Sequence, residues 1–168
     1  ARDPSVDLDR FERLVGLRNE ENERLAIVAF NEAFAKLQAE LPAVVMTGEV
    51  IIPGRKPQKY PKLEDVIKAF KGPGGLYGFS LSGRISYPAP EVVAVTTILR
   101  HSSGRSDETT LQGGFDKSGG KNAIQSLGST ISYLRRYGQI TLLNIAVAGE
   151  DDDAAGVSEH ITEKQVAE

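Results

Sequence analysis

The segment GSTISYLRRYGQ, residues 128–139, sets two adjacent arginines, Arg135 and Arg136, between two tyrosines, Tyr133 and Tyr137. A guanidinium group is a planar fork of donors that pairs with phosphate through two parallel hydrogen bonds. Its flat face, like an aromatic ring, also stacks on a nucleobase. On a helical wheel at about 100° per residue, Ile124, Leu127, Ile131 and Leu134 gather on one side as a core face. Gln125, Ser129, Ser132 and Arg136 form a polar stripe on another side, and the tyrosines lie further round. Arg135 falls close to the apolar face, above Gly128. Two readings of it stay open: an ion pair with an acid of the sheet, or a guanidinium that reaches a groove through the space Gly128 leaves. For the tyrosines, packing with a wetted hydroxyl competes with base stacking, and Tyr133 is kept as a candidate contact.

These cations stand in a chain that is acidic as a whole, with a net charge of −3 over 168 residues. The charge is unevenly spread. Residues 1–53 hold 6 Lys/Arg and 10 Asp/Glu, residues 54–136 hold 13 and 6, and residues 137–168 hold 1 and 7. A basic centre between acidic ends suits a local anionic partner, and it suits a plain solvated surface equally well. Other basic residues sit around this centre. Arg55, Lys56, Lys59 and Lys62 cluster in a proline-containing loop, and Arg105, Lys117 and Lys121 lie in turns. Lys121 just precedes the long helix, whose free N-terminal amides also suit phosphate.

The elements that must position these residues follow from pattern. Residues 19–40 form an amphipathic helix with Leu25, Val28, Ala29, Phe30, Ala33, Phe34 and Leu37 as its buried stripe, after a polar lead-in over 1–18. AVVMTGEVIIP (43–53) reads as a strand. LEDVIKAFK (63–71) is a short helix that GPGG (72–75) stops. Residues 76–87, 92–101 and 106–112 form a three-strand meander, followed by a flexible glycine-rich loop over 113–121. The longest helix after the sheet, 122–145, frays or breaks near Gly138. The predicted class is α+β: a curved antiparallel meander packed on a long central helix. One domain over 19–146 precedes an acidic, partly disordered tail over 147–168. Absence of cysteine excludes disulfides and thiolate metal sites and fits a reducing, cytoplasmic setting. No apolar run approaches the ~20 residues of a membrane span, so no membrane partner is expected.

IQSLGSTISYLRRYGQITLLNIAVAGEDDDA (124–154) resembles the signature of the ERF (essential recombination function) family of phage-type single-strand annealing proteins. Gln125, Gly128, Ser129, Ser132, Tyr133, Arg135, Arg136 and Tyr137 fit the pattern, and Asp151, Asp152 and Asp153 fit its acidic run. KYPKLEDVIKAF (59–70) resembles the family's lysine–tyrosine entry to a helix, and TTILRHSSG (96–104) resembles its histidine hairpin, so the likeness spans roughly residues 25–154. It implies ATP-independent binding and annealing of single-stranded DNA by a ring or filament of like subunits. In that picture DNA runs in a basic groove with the helix as its floor and β-hairpins as the other wall. The resemblance makes Arg135, Arg136, Gln125 and Ser129 DNA contacts. Lys59 and Lys62 are added because they fall in the matching motif, and Lys121, Arg105 and Lys117 because they flank the helix.

Several other classes are set aside. FDKSGGKN fails the G-x-x-x-x-G-K-[ST] phosphate loop at its first position, Phe115, and at its last, Asn122. A metal nuclease built from His101 and Asp151 to Asp153 ranks well below annealing, because catalytic acids converge from rigid elements. No cofactor is required, although the aspartate run could hold Mg²⁺ weakly. Two alternatives stay open: a passive single-strand coat, and an oligomeric scaffold whose acidic tail recruits a host or phage recombination partner.

Overall fold

The computed structural model describes residues 4–51, 54 and 56–149. Arg55, the lead-in residues 1–3 and the acidic run with Asp151 to Asp153 lie outside them, and so do the readings placed there.

Helix α1 runs from Pro4 to Glu40, fifteen residues earlier than the apolar pattern predicts. Proline opens a helix without penalty because the N–H it lacks would have no partner there. Only its second half packs. Phe30 and Leu37 are buried, with Ala33 and Phe34 against the same core. Leu25 and Val28, expected in the stripe, are exposed, as are Leu8, Phe11, Leu14 and Leu17. The Ser103 hydroxyl fixes the helix by donating to the Ala26 carbonyl at 3.1 Å.

The strand expected over 43–53 is split. β1 (Val44–Val45) pairs in parallel with β7 (Val147–Ala148), and β2 (Gly48–Val50) pairs antiparallel with β3 (Gln58–Tyr60). Val147 and Ala148, read as the start of the tail, thus belong to the folded body. Helix α2 spans Leu63–Leu76 and passes through Pro73 instead of stopping before it. Pro73 lies in the last turn, where the one bond it forfeits is cheap. The chain turns out at Gly78, whose φ of +75° suits glycine.

The meander is present: β4 (Phe79–Ala89), β5 (Val92–His101) and β6 (Ser106–Gly114), in that order and antiparallel, with a bulge between Ser86 and Ala89. The central strand is buried from Val93 through Leu99. Helix α3 (Ala123–Leu143) covers one face. The other is bridged by longer side chains, with Arg84 and Glu108 at 3.3 Å. Helix α3 opens on a reciprocal cap. The Asn122 side chain accepts from the Gln125 N–H at 2.9 Å, and the Gln125 carboxamide accepts from the Asn122 N–H at 3.1 Å. It ends at Asn144, which takes the left-handed conformation at φ 51°.

Two expectations for α3 are corrected. The helix does not break at Gly138: that residue is buried against β5, where a Cβ would stand 2.6 Å from the Thr97 hydroxyl. The core face is also rotated. Ser126, Thr130, Leu134 and Gly138 are buried, whereas Ile124 is 83% exposed. Small residues let the helix sit close to the sheet, and Thr130 satisfies its hydroxyl on the Gly114 carbonyl at 3.1 Å. Among the described residues, no helix is long and apolar enough to cross a membrane.

Candidate nucleic-acid interface

A groove of about 1100 Å³ runs along α3. Its floor is Ser129, Ser132, Tyr133, Arg136 and Tyr137, which recur at the three-and-four spacing of one helical face. Its wall is the small β2–β3 ribbon and the segment Lys56–Pro61. That wall is a β-hairpin outside the large sheet. The loop after β6 closes one end with Asp116, Ser118 and Lys121.

Arg136 is the centre of this site. Its guanidinium carbon lies 4.8 Å from the Tyr60 ring centroid, 5.0 Å from Tyr137 and 5.3 Å from Tyr133. The negative ring faces hold the cation in place. Yet its Nε–H is buried with no hydrogen-bond acceptor among the described residues. The rings fix the position of the charge and leave its Nε–H without an acceptor among the described residues. Tyr60 is seated by Gly48, its partner across the ribbon. A Cβ there would meet the ring at 2.5 Å. Tyr133 and Tyr137 pack at 4.4 Å between centroids. Desolvation first, then Tyr137, raises the Tyr133 phenol above its usual pKa, with Arg136 opposing. Tyr133 is still 53% exposed, so its ring offers a face to a ligand.

Among the described residues, Asp116 is the one acid lining the groove. Its carboxylate accepts from Lys121, from the Ser118 hydroxyl at 2.6 Å and from the Ser129 hydroxyl at 2.6 Å. These bonds, Lys121 first, hold its carboxyl well below the usual carboxylate range. The loop expected to be flexible is therefore pinned to α3, and Lys121 is already paired. Arg136, Lys56 and Lys59 remain as groove cations with no ion-pair partner among the described residues.

Of the residues nominated from sequence, Arg136, Tyr133, Ser129, Lys59 and Lys121 come together here. The others do not. Gln125 has its carboxamide oxygen in the α3 cap. Lys62 precedes α2 and does not line the groove. Arg105 lies in the β5–β6 turn, beside the residues that anchor α1. Lys117 pairs with Glu91 at 2.7 Å. Arg135 is exposed on a different face of α3, between α2 and β4, with no ion pair among the described residues. Among the described residues no acid pairs with it, and a Cβ at Gly128 would meet nothing within 4 Å, so the space expected there is present.

Sequence reasoning did not nominate Tyr60, Tyr137, Lys56 or Asp116. Tyr60 and Tyr137 lie inside the two motifs that carry the resemblance, and that was the available signal. Asp116 had none, since a lone acid in a glycine-rich loop reads as solvated.

The site thus combines fixed, under-bonded positive charge with open aromatic faces, which is a chemistry for phosphate and base together. No curated protein matches the chain. The ERF superfamily model matches it over residues 30–168, and the chain belongs to that superfamily.

Proposed function

We propose that the protein binds single-stranded DNA along the α3 groove and anneals complementary strands without ATP, acting as an oligomer in recombination. The observation that carries this reading is Arg136: a cation held by three tyrosine rings, with a buried donor that has no acceptor among the described residues. A phosphate meets the charge on the accessible part of that guanidinium, and Tyr133 supplies a stacking surface for the neighbouring base. Such contacts are blind to sequence, because every strand carries the same backbone and every base has a π-face.

Annealing changes no covalent bond, so the mechanism needs no acid, base, nucleophile or cofactor. Neutralised phosphates let two anionic strands approach, and pairing supplies the driving force, on average about 1.4 kcal/mol per stacked step. Few phosphate contacts per subunit bind weakly; an array of subunits binds one strand many times at high effective concentration. Membership of the ERF superfamily supports the annealing and recombination theme.

The test is the rate at which two complementary fluorescent strands pair without nucleotide. Wild type should accelerate pairing, and Arg136→Ala, folded and assembled alike, should lose the acceleration. Tight binding with no acceleration would make the protein a passive coat. No binding at moderate salt would reject the groove as a DNA site.

A further inference from the structure

Arg135 opens onto a second, smaller pocket, about 220 Å³, open to solvent on one side and lined by α2, β4, β5 and α3. It lies on a separate face of α3 from the groove. Its size is below the roughly 300–1,000 Å³ of pockets for drug-sized ligands, so it suits one ring system. Three features define what would fill it. Its walls are apolar: Ile67 and Phe70 from α2 and Leu81 from β4, with Gly83 leaving the strand bare opposite Thr97. At its edge stand two cations, Arg135 and Lys71, both exposed and without an ion-pair partner among the described residues. Gln139 also lines it, only 7% exposed, and its Oε1 has no hydrogen-bond partner among the described residues. A buried amide oxygen left unpaired is expensive, and here it belongs to a side chain that lines the cavity.

We propose that this pocket takes one nucleobase extruded from a single strand, with the adjoining phosphate on Arg135 and Lys71. Each feature is then used. The ring fills the apolar slot, its polar edge meets the Gln139 amide in the way carboxamides read base edges, and the anion meets the two cations. An apolar side chain would leave both the amide and the cations idle. A free phosphate would leave the amide and the walls idle. Helix α3 then carries two strand-binding features on separate faces, the Arg136 groove and the Arg135 pocket. The inference rests on the single-strand reading above and adds a site to it.

The experiment uses the full chain and a thymine-rich single strand carrying one 4-thiothymidine, which cross-links on irradiation to side chains its base touches; the modified peptides are identified by mass spectrometry. Expected are two sets of cross-links, one in Lys56–Tyr60 or Tyr133–Tyr137, the other in Ile67–Lys71 or Leu81–Gly83. Gly83→Val fills the pocket, and a Cβ there meets nothing closer than the Thr96 carbonyl at 3.8 Å. It should remove the second set at least about tenfold and spare the first. Arg135→Ala, at an exposed position that folding does not need, should lower the second set severalfold. Cross-links in the groove alone, or pocket cross-links that survive both substitutions, would overturn this proposal and leave the groove reading standing. A strand that fails to bind at all would overturn both.

Discussion

Replacing Arg136 by alanine separates the two roles a partly buried arginine can have. On the stability side, the three tyrosine rings at 4.8, 5.0 and 5.3 Å no longer have a cation between them. At about 0.5–1 kcal/mol per ring for partly exposed sites, that is roughly 1.5–3 kcal/mol. The same substitution removes a buried Nε–H without an acceptor, which in the folded state costs about 1–3 kcal/mol. The two nearly cancel, and the variant should unfold within about 1 kcal/mol of wild type. On the binding side nothing cancels. A hydrogen bond to a charged group contributes about 1.5–3 kcal/mol, so strand affinity should fall about 10- to 150-fold at low salt. The slope of log K against log salt should flatten by about 0.7 for each phosphate of the single strand that Arg136 neutralises in the wild type. Arg136→Lys should keep that slope, since one unit of positive charge replaces another, while losing part of the affinity with the flat stacking face. Fluorescence anisotropy of a labelled strand across about 50–200 mM salt, paired with chemical denaturation, reads both sides. An Arg136→Ala protein destabilised by more than about 3 kcal/mol, with an unchanged salt slope, would refute the reasoning: the arginine would be a brace for the three rings and no part of a phosphate site.

The Asp116 carboxyl has its pKa lowered in the folded state by Lys121, Ser118 and Ser129, so its stabilisation is fully present above the unfolded value near 4 and is lost as pH falls through the folded value. Because the pair is partly exposed, the effect should be no more than about 1 kcal/mol. Denaturant midpoints of wild type and Asp116→Asn should differ at neutral pH and converge in acid, and a gap that persists in acid would contradict this. Gly138→Ala should destabilise despite the better helix propensity of alanine, because a clash with Thr97 in a packed layer costs about 1–3 kcal/mol against a gain of about 1; a raised melting temperature would show that the layer relaxes. Gly48→Ala should push the Tyr60 ring off Arg136 and weaken strand binding severalfold with the salt slope retained, as anisotropy titration would read; full affinity would mean that Tyr60 is dispensable to the groove.

Much of this architecture is legible before any coordinates. The apolar run of β5, the glycine and serine turns around it and the polar stripe of α3 each carry a local signal that the fold obeys. The errors share a cause: they lie where tertiary contacts override local pattern. Ser126 and Thr130 are buried because the helix approaches the sheet closely there, and hydropathy alone assigns that face to Ile124. Pro73 and Gly138 look like stops, but one sits in a last turn and the other under Thr97. In the site, Arg136 falls in the polar stripe by spacing, and the family resemblance marks it as a contact. Tyr60 reaches Arg136 across 76 residues of sequence and Asp116 reaches Ser129 across 13, and no periodicity reports such distances. Arg135 marks the limit most clearly, since adjacent positions on a helix diverge by about 100° and so serve different cavities.

The parallel pairing of Val44 with Val147 has a consequence in time. About 100 residues separate the two partners, and a ribosome adding about 5–20 residues per second needs roughly 5–20 s to deliver the second after the first. Until then β1 has no strand partner, while the three strands of the meander, complete at Gly114, can already pair with one another. Met46 and Val50 on one side and Gly149 on the other line the groove beside this ladder. Among the described residues the groove is therefore completed late in synthesis, well after the large sheet has been made.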